Sequence, residues 1–570
     1  MIRKILKRNK KINALVEPDE IFLDSKNLQN FDRQQFEGRI EKSISKKTIL
    51  SLGVFFILFI LTALFRLGNL QIKKGEVYKE RSEKNTLEKS IIFAERGIIY
   101  DRNKKELAWN KKTQNTENLE NSKTDFLLRE YLSPGFSHLL GYVSYPAQDK
   151  TGRYWQTDFI GKDGLEKEYD TKIQGEKGSK INEVDAKGNI HSENIINAPK
   201  RGEDLVTTID MRIQKQIFNA IKNLANSNNF QGGAGVILNI ENGEVLTSVS
   251  FPEYNSEILS LGKDAPSIKN YLTDKRKVFM DRTISGLYTP GSIVKPFFAI
   301  GALAENIIDQ YKQILSTGSI SIPNPYFPDQ KTVFKDWRIN GWTNMAEALA
   351  VSSDIYFYEI GGGFEGQKGL GINNLEKYAK LFGIGEKTNV DLPDEKEGTI
   401  PSPEWKIKNF KGDAWRIGNT YHTAIGQYGF QVTPLQMARA VSILANDGIL
   451  LTPHFLLNDK IKENEILKLD LKKEYFEIVR KGMRQAVTVG TAKALNVPYV
   501  EVAAKTGTAQ LGVAKNKVNS WVMGFFPYQK PKYAFIILME AGPANNSIGA
   551  SSIMRETLDF MSVNNPEYFQ

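Results

Sequence analysis

The sequence predicts an α+β fold in which an antiparallel β-sheet is flanked by helices. The first of three observations is a hairpin signal, Asn242-Gly243, between two β-rich runs of residues 234–250. The second is a helical middle, and the third is a return to strand-like sequence near the end of the chain. The helical stretches are residues 342–361 and 433–448, and the returning strands are residues 499–510 and 520–542.

Composition limits the classes of protein that the chain can belong to. It has 570 residues, a net charge of +10 and no cysteine, so disulfides, thiolate metal sites and a cysteine nucleophile are excluded. The positive charge comes without a zinc finger, an RNP motif or an aromatic-basic repeat, which argues against nucleic acid as a partner. Two explanations of the positive charge remain: a partner such as an anionic membrane or envelope polymer, or a diffusely charged surface with no partner.

Residues 48–65 predict a membrane anchor. These 18 residues carry no charge and lie between Lys46-Lys47 and Arg66. As a helix they span about 27 Å, close to the thickness of a bilayer core. A cleavable signal peptide fits poorly, because 47 residues precede the apolar run. Five Lys and Arg residues lie in the flank before this segment and six in the flank after it, so the charge count does not indicate which end faces the cytoplasm.

The chain divides into four segments by character. Residues 1–47 are polar and basic, residues 48–65 are apolar, and residues 66–205 mix strand-like pairs with turns. From residue 206 a longer folded domain is expected, which begins with isoleucines at four-residue steps that indicate an amphipathic helix (Ile209, Ile213, Ile217 and Ile221).

A Ser-x-x-Lys pattern at Ser292 and Lys295 opens an apolar helix. Serine is a preferred N-cap, and a lysine three residues later lies on the same helix face. By itself this pattern also fits a capped helix with a snorkelling lysine, and it recurs at Ser43/Lys46 and Ser260/Lys263. Ser-Ser-Asp at residues 352–354 and Lys-Thr-Gly-Thr at residues 505–508 follow in order, and the three together predict a catalytic serine.

The chemistry of these residue types supports that interpretation. A serine hydroxyl needs a base, and with four histidines and no Gly-x-Ser-x-Gly motif a histidine triad is unsupported. A lysine amine can serve when burial and a second cation favour its neutral form. The apolar helix would bury Lys295, and Lys505 would be the second cation. Gly507 would leave a strand open to an extended peptide, whose carboxylate would meet Lys505, Thr506 and Thr508.

With these motifs the chain resembles class B penicillin-binding proteins, and most of all the penicillin-binding protein 2 type of cell elongation. The resemblance runs from about Gln71 to Gly542 and includes "RGIIYDRN", "GKDGLEKEYD", "DRTISGLYTPGSIVKPF", "SSDIYFY" and "AAKTGTAQ". It implies a penicillin-binding, serine β-lactamase-like transpeptidase domain of residues 206–570. This domain would stand on an elongated pedestal of residues 66–205, beyond an anchor of residues 48–65 and a cytoplasmic tail of residues 1–47.

The resemblance also implies roles for single residues. Ser292 would attack the D-Ala-D-Ala carbonyl of a peptidoglycan stem peptide, Lys295 would take the serine proton, and β-lactams would trap Ser292. Ser352, supported by Asp354 and Lys505, would pass a proton to the leaving amine. The backbone amides of Ser292 and Thr508 would form the oxyanion hole. The substrate-binding residues implied are Thr506, Gly507 and Thr508.

Partners and cofactors follow from the same resemblance. No cofactor and no metal are expected. No Glu-Asp-x-x-Phe glycosyltransferase motif stands between the anchor and residue 206, so glycan polymerisation would belong to a SEDS-type glycosyltransferase within the elongation complex. Residues 110–137 are shorter than the lobe that the family often carries there.

Two groups of alternatives remain open at this point. A D,D-carboxypeptidase, a β-lactamase or a lactam sensor would share the motifs and differ in whether water or an amine resolves the acyl-enzyme. A mainly scaffolding protein that activates a glycosyltransferase would not need the serine at all.

Overall fold

A computed structural model describes residues 45–79, 87–112, 126–150, 153–184, 190–324, 327, 329–457 and 467–570. The predicted tail, apart from its last three residues, and residues 113–125 of the 110–137 segment lie outside these residues. The chain divides into two compact units. One ends at Glu88 and includes Glu183–Ser192, and the other consists of Lys89–Asn182 and Glu193–Gln570.

The first unit contains the apolar helix that the sequence predicts. Helix α1 spans Lys46–Gly68, and a π-helical turn, Asn69–Lys73, follows. Ser45 caps its start by accepting a hydrogen bond from the Thr48 amide. The 28 residues from Lys46 to Lys73 are long and apolar enough to cross a membrane, and the span contains no buried residue.

Short strands and helices make up the region before residue 206. Their bounds are β1 Leu87–Ile92, β2 Ile99–Tyr100, β3 Glu106–Lys111, β4 Leu128–Tyr131, α2 Ser137–Leu140, β5 Val143–Ser144, β6 Ala147–Gln148, β7 Tyr154–Gln156, β8 Ile160–Gly161, α3 Gly164–Glu168, α4 Asp170–Ile173, β9 Gly178–Val184, β10 Ile190–Asn197 and β11 Leu205–Val206. Strands β11, β2, β3 and β4 form one sheet in that order, with β11 parallel to β2.

A buried ion cluster holds this region together. Glu166 on α3 is fully buried and pairs with Arg96 at 2.5 Å and with Arg129 at 2.8 Å. Arg96 also reaches Asp170 at 2.6 Å. Burial alone would raise the pKa of Glu166, but the charges of Arg129 and Arg96 hold it below its ordinary value. Three charges buried together need such mutual pairing, because a lone buried charge is very costly.

The remaining elements, in chain order, build the larger domain. They are α5 Met211–Ser227, β12 Gly232–Asn239, β13 Val245–Phe251, α6 Ser256–Leu261, α7 Ala265–Thr273, α8 Lys295–Ala304, β14 Ile314–Ser316, β15 Ser319–Pro323, β16 Lys331–Lys335, β17 Gly341–Thr343, α9 Met345–Val351, α10 Asp354–Gly362, α11 Gly371–Leu381, α12 Pro403–Asn409, α13 Ile417–Ala424, α14 Pro434–Ala445, β18 Ile449–Leu450, β19 Leu467–Lys468, α15 Lys473–Thr488, β20 Ala503–Leu511, β21 Lys517–Phe526, β22 Tyr533–Pro543 and α16 Ala550–Asn564.

A five-stranded antiparallel sheet forms the centre of this domain, in the order β13-β12-β22-β21-β20. Alternate residues of its strands enter two separate cores: Val236 and Ile536 join one, while Ile237 and Ile537 join the other. Helices α5 and α16 contribute to the second core, and α8 and α14 contribute to the first. Helices therefore flank both faces of the sheet, which confirms the predicted fold class.

The hairpin and the amphipathic helix differ little from expectation. Strands β12 and β13 enclose Asn242-Gly243, with Gly243 at φ +80°. The predicted amphipathic helix begins at Met211, after Ile209, because the Asp210 side chain caps it by accepting from the Arg212 amide. Strand β20 ends the sheet and leaves its outer edge unpaired among the described strands.

Candidate active site

Ser292 lies in a single 3₁₀ turn, Gly291–Val294, that leads directly into helix α8. The expectation that Ser292 caps this helix is wrong. Pro290 precedes the turn, and no side chain caps either the turn or α8. Gly291 takes φ +60° and donates its amide to the Gly426 carbonyl at 2.9 Å. The serine is thus placed by a tight backbone contact, and its half-buried side chain is not used as a cap.

Lys295 is fully buried at the start of α8, so the snorkelling alternative is excluded. Its ammonium donates to the carbonyl oxygens of Ser352 at 2.9 Å and Ser353 at 3.2 Å. It also pairs with Asp354 Oδ1 at 2.7 Å. The family resemblance implies that Asp354 supports Ser352. In the structure the Asp354 carboxylate instead pairs with the Lys295 ammonium. Within the described residues no hydrogen bond joins Lys295 to the Ser292 hydroxyl.

Ser352 occupies the sharp turn between α9 and α10. It ends α9 in the left-handed conformation, at φ +59°, which residues with a Cβ seldom adopt. In this turn the Ser352 carbonyl accepts a hydrogen bond from Lys295. The Ser352 hydroxyl accepts one from the Lys505 ammonium at 2.7 Å. Lys295 lies 3.5 Å from the same hydroxyl.

Lys505 is the second cation that the sequence predicts. It is fully buried on β20 and also donates to the Thr506 carbonyl at 2.8 Å. Burial, and then the charge of Lys295, lower the pKa of Lys505 well below its ordinary value, although Asp354 acts in the opposite direction. Two ammonium groups that share one hydroxyl repel each other, so the site favours the loss of a proton from one of them.

Strand β20 runs against the Ser292 turn because residue 507 is a glycine. A Cβ at Gly507 would lie 2.9 Å from the Pro290 carbonyl oxygen and 2.9 Å from Ile293 Cγ2. A Cβ at Gly291 would in turn meet the Thr508 carbonyl oxygen at 3.2 Å. The exposed Thr508 and the Ser292 turn are therefore neighbours at the open edge of the sheet.

The structure brings most of the predicted site residues together. Direct hydrogen bonds connect Lys295, Ser352, Asp354 and Lys505. Ser292 joins them through the backbone, since its carbonyl accepts from the Lys295 amide. The sequence predicts that Thr506 meets a substrate carboxylate. In the structure the Thr506 hydroxyl instead makes a 2.6 Å hydrogen bond with the Thr491 hydroxyl.

Two residues of the site are not predicted by the sequence. Thr491 partners Thr506, and Asp336 accepts hydrogen bonds from the turn that contains Asp354. Neither residue belongs to a motif or to a periodic pattern, so no sequence signal points to them. Among the described residues, no group of three or more His, Cys, Asp or Glu side chains is placed to hold a metal.

Comparison with known proteins agrees with this geometry. The family model of the penicillin binding protein transpeptidase domain matches residues 233–559, and that of the penicillin-binding protein dimerisation domain matches residues 122–207. Peptidoglycan D,D-transpeptidase MrdA of Escherichia coli (strain K12) is 27% identical over 90% of this chain and 94% of its own length. MrdA of Haemophilus influenzae is 30% identical over 76% of this chain and 69% of its own length.

Solved structures give the same result. The complex of penicillin-binding protein 2 with MreC from Helicobacter pylori superposes with a TM-score of 0.68 at 29% identity, over 85% of this chain and 99% of that one. Pseudomonas aeruginosa penicillin-binding protein 2 in complex with WCK 5153 has a TM-score of 0.68 at 26% identity, over 84% and 98% of the two chains.

The fold, the two-lysine site and these matches define a serine acyltransferase, and the chain belongs to the penicillin-binding protein transpeptidase family. Within that family it is a peptidoglycan D,D-transpeptidase of the penicillin-binding protein 2 type, the type of cell elongation. Helix α1 is long and apolar enough to be its membrane anchor.

Proposed function

We propose that the chain cross-links peptidoglycan stem peptides through an acyl-enzyme on Ser292. The Ser292 Oγ forms a bond with the penultimate D-Ala carbonyl carbon, the bond from that carbon to the terminal amine breaks, and the serine proton leaves with the released D-Ala. The amine of a neighbouring stem peptide then attacks the ester, which restores the hydroxyl and completes the cross-link. The observation that carries this proposal is the pair of buried lysines that contact Ser352 beside the Ser292 turn.

Each polar group has one task in this scheme. Lys295 takes the serine proton, and Ser352 relays a proton to the leaving amine with the support of Asp354 and Lys505. A base held within hydrogen-bond reach lowers the barrier by proton transfer during attack. The 2.7 Å bond from Lys505 to the Ser352 hydroxyl and the 3.5 Å approach of Lys295 support a relay through this serine.

The open edge of β20 is the proposed substrate site. An extended stem peptide adds to this edge as a further strand, along Thr506, Gly507 and Thr508. The amides of Ser292 and Thr508 stabilise the oxyanion that forms during attack. The close approach of the Thr508 backbone to Gly291 supports this pairing of amides.

The catalytic domain, residues 206–570, lies outside the cytoplasmic membrane, where peptidoglycan is found. Residues 66–205 form the pedestal, residues 48–65 the anchor and residues 1–47 the cytoplasmic tail. The apolar helix α1 and the dimerisation-domain match to residues 122–207 support this division.

Partners are proposed from the same relatives. The Helicobacter pylori relative forms a complex with MreC, and we extend a partner of that kind, a SEDS-type glycosyltransferase and other elongation-complex proteins to this chain. β-Lactams are the proposed inhibitors, since they mimic the D-Ala-D-Ala substrate.

Cross-linking of glycan strands that carry pentapeptide stems tests the proposal, with full-length protein in detergent. We expect cross-linked dimers and released D-Ala from the wild type and neither from Ser292→Ala. Ser260→Ala, in the other described Ser-x-x-Lys, is the matched control and should retain activity. Release of D-Ala without dimers would indicate a carboxypeptidase, and dimers from Ser292→Ala would reject the proposal.

A further inference from the structure

Asp336 is a nearly buried carboxylate at the end of β16 that no motif includes. Six neutral donors of the described residues contact its two oxygens. Three come from the Ser353–Ile355 segment: the Ser353 hydroxyl at 2.8 Å, the Asp354 amide at 3.1 Å and the Ile355 amide at 3.3 Å. The others are the Ser316 hydroxyl at 2.9 Å, the Trp337 amide at 2.9 Å and the Asn340 side chain at 3.1 Å.

The same segment contacts Lys295 from its other side. The carbonyls of Ser352 and Ser353 and the Asp354 carboxylate accept three of the Lys295 hydrogen bonds. The turn therefore lies between two buried charges of opposite sign, with its amides towards Asp336 and its carbonyls towards Lys295. Asp336 itself makes no hydrogen bond to Lys295 or Lys505.

The turn needs such support because of its backbone. Ser352 holds φ +59°, an unfavourable conformation for a residue with a Cβ, which persists only where the surroundings determine it. Asp336 also sits at the start of α10, where the free amides of the first turn favour a negative charge. Both effects fix the position of the Ser352 hydroxyl and of Asp354.

We propose that Asp336 is a positioning residue for transpeptidation, which holds the Ser352–Asp354 turn in the conformation that places Ser352 and Asp354 on Lys295. This inference rests on the proposed function, since it assumes that Ser292 is acylated with the help of Lys295 and Ser352. A displacement of about 1 Å in a catalytic group can reduce a rate on the order of 100-fold, so loss of the carboxylate should slow chemistry more than binding.

The chain offers a matched pair of variants for this proposal. Ser353→Ala and Ser316→Ala each remove one fully buried hydroxyl that donates to the same Asp336 oxygen, at 2.8 and 2.9 Å. Only Ser353 belongs to the turn, where its hydroxyl also caps α10 by accepting from the Tyr356 amide at 3.3 Å, whereas Ser316 lies on β14. If Asp336 acts through the turn, the first variant should slow acylation and the second should not.

The experiment measures penicillin acylation of the full-length protein by stopped flow, with separate values for the noncovalent dissociation constant and the acylation rate constant. We expect Asp336→Asn and Ser353→Ala to lower the rate constant at least tenfold and to change the dissociation constant less than threefold. Ser316→Ala should keep both within threefold.

A wild-type rate constant in Asp336→Asn, or equal losses in Ser316→Ala and Ser353→Ala, would overturn the positioning role. A wild-type protein that is not acylated at all would instead overturn the proposed function, so the two failures are distinguishable.

Discussion

The Lys505 ammonium donates a 2.7 Å hydrogen bond to the Ser352 hydroxyl, and both side chains are buried. A second ammonium, that of Lys295, lies 3.5 Å from the same hydroxyl. One hydroxyl between two buried cations is an arrangement that costs stability, because burial and like charge both disfavour the charged amines. Strongly perturbed pKa values of this kind are typical of functional sites.

Replacement of Lys505 by methionine should slow acylation strongly without weakening the fold. The folded chain lowers the pKa of Lys505 well below its ordinary value, so the unfolded chain binds the proton more tightly and the lysine opposes folding at neutral pH. The penalty fades as the pH rises towards about 10.4, the ordinary lysine value. We expect acylation to fall on the order of 100-fold and the unfolding temperature to stay level or rise.

Thermal unfolding at pH 7 and pH 10, beside acylation by a fluorescent penicillin, checks this prediction. Any gain in stability should be smaller at pH 10. Lys517→Met, on the exposed start of β21, is the control and should change neither quantity. Unchanged acylation in Lys505→Met would contradict the role of this lysine.

Gly507→Ala should separate β20 from the Ser292 turn. Its new methyl group would lie 2.9 Å from the Pro290 carbonyl oxygen, a distance that requires a backbone shift. Overpacking of this kind costs about 1–3 kcal/mol, and acylation should slow because the oxyanion amides move apart.

The control for that substitution is Gly366→Ala, where nothing lies within 4 Å of a new Cβ. Urea unfolding and acylation kinetics of both variants test the predicted losses of stability and of acylation rate. A Gly507→Ala protein as active as Gly366→Ala would show that β20 and the turn need not touch.

Glu166→Gln should destabilise the chain strongly, because it leaves Arg96 and Arg129 buried with less negative charge. Removal of one partner from a buried ion cluster costs about 3 kcal/mol or more. Glu176→Gln, which breaks the exposed pair with Lys200, should cost less than about 1 kcal/mol. Urea unfolding compares the two variants, and equal losses would contradict the structural role of the cluster.

His138 should make the chain less stable in mild acid. Burial lowers its pKa to about 4, so between pH 6.5 and 4 the unfolded chain takes up a proton that the folded chain does not. Stability therefore falls as the pH falls through this window. Asp163 opposes the effect, because burial raises the pKa of its carboxyl.

Unfolding temperatures of the wild type and of His138→Gln, measured from pH 7 to pH 4.5, isolate the histidine contribution. We expect the variant to lose less stability than the wild type over this range. Parallel curves for the two proteins would show that His138 is not held neutral by the fold.

The sequence predicts those parts of the molecule that depend on short spacings. The two strands around Asn242-Gly243, the apolar helix after Ser292 and the burial of Lys295 each follow from a local pattern. The family resemblance also implies that Lys505 meets Ser352, although 153 residues separate them.

What the sequence does not predict is set by tertiary contacts. Strand β17 and helix α9 separate Asp336 from the Ser353–Ile355 segment along the chain, and no propensity or spacing rule marks their contact. The left-handed Ser352 and the direct contact of Asp354 with Lys295 likewise depend on how α9 and α10 meet. The prediction that Ser292 caps the helix is wrong for a related reason, since the backbone contact of Gly291 with Gly426 holds the turn.

Intact mass after exposure to penicillin, followed by tryptic mapping, tests the central claim most directly. We predict one added penicilloyl group on the wild type, on the tryptic peptide of residues 283–312 and at Ser292, and none on Ser292→Ala. An adduct that persists in Ser292→Ala, or that maps to another peptide, would contradict the account.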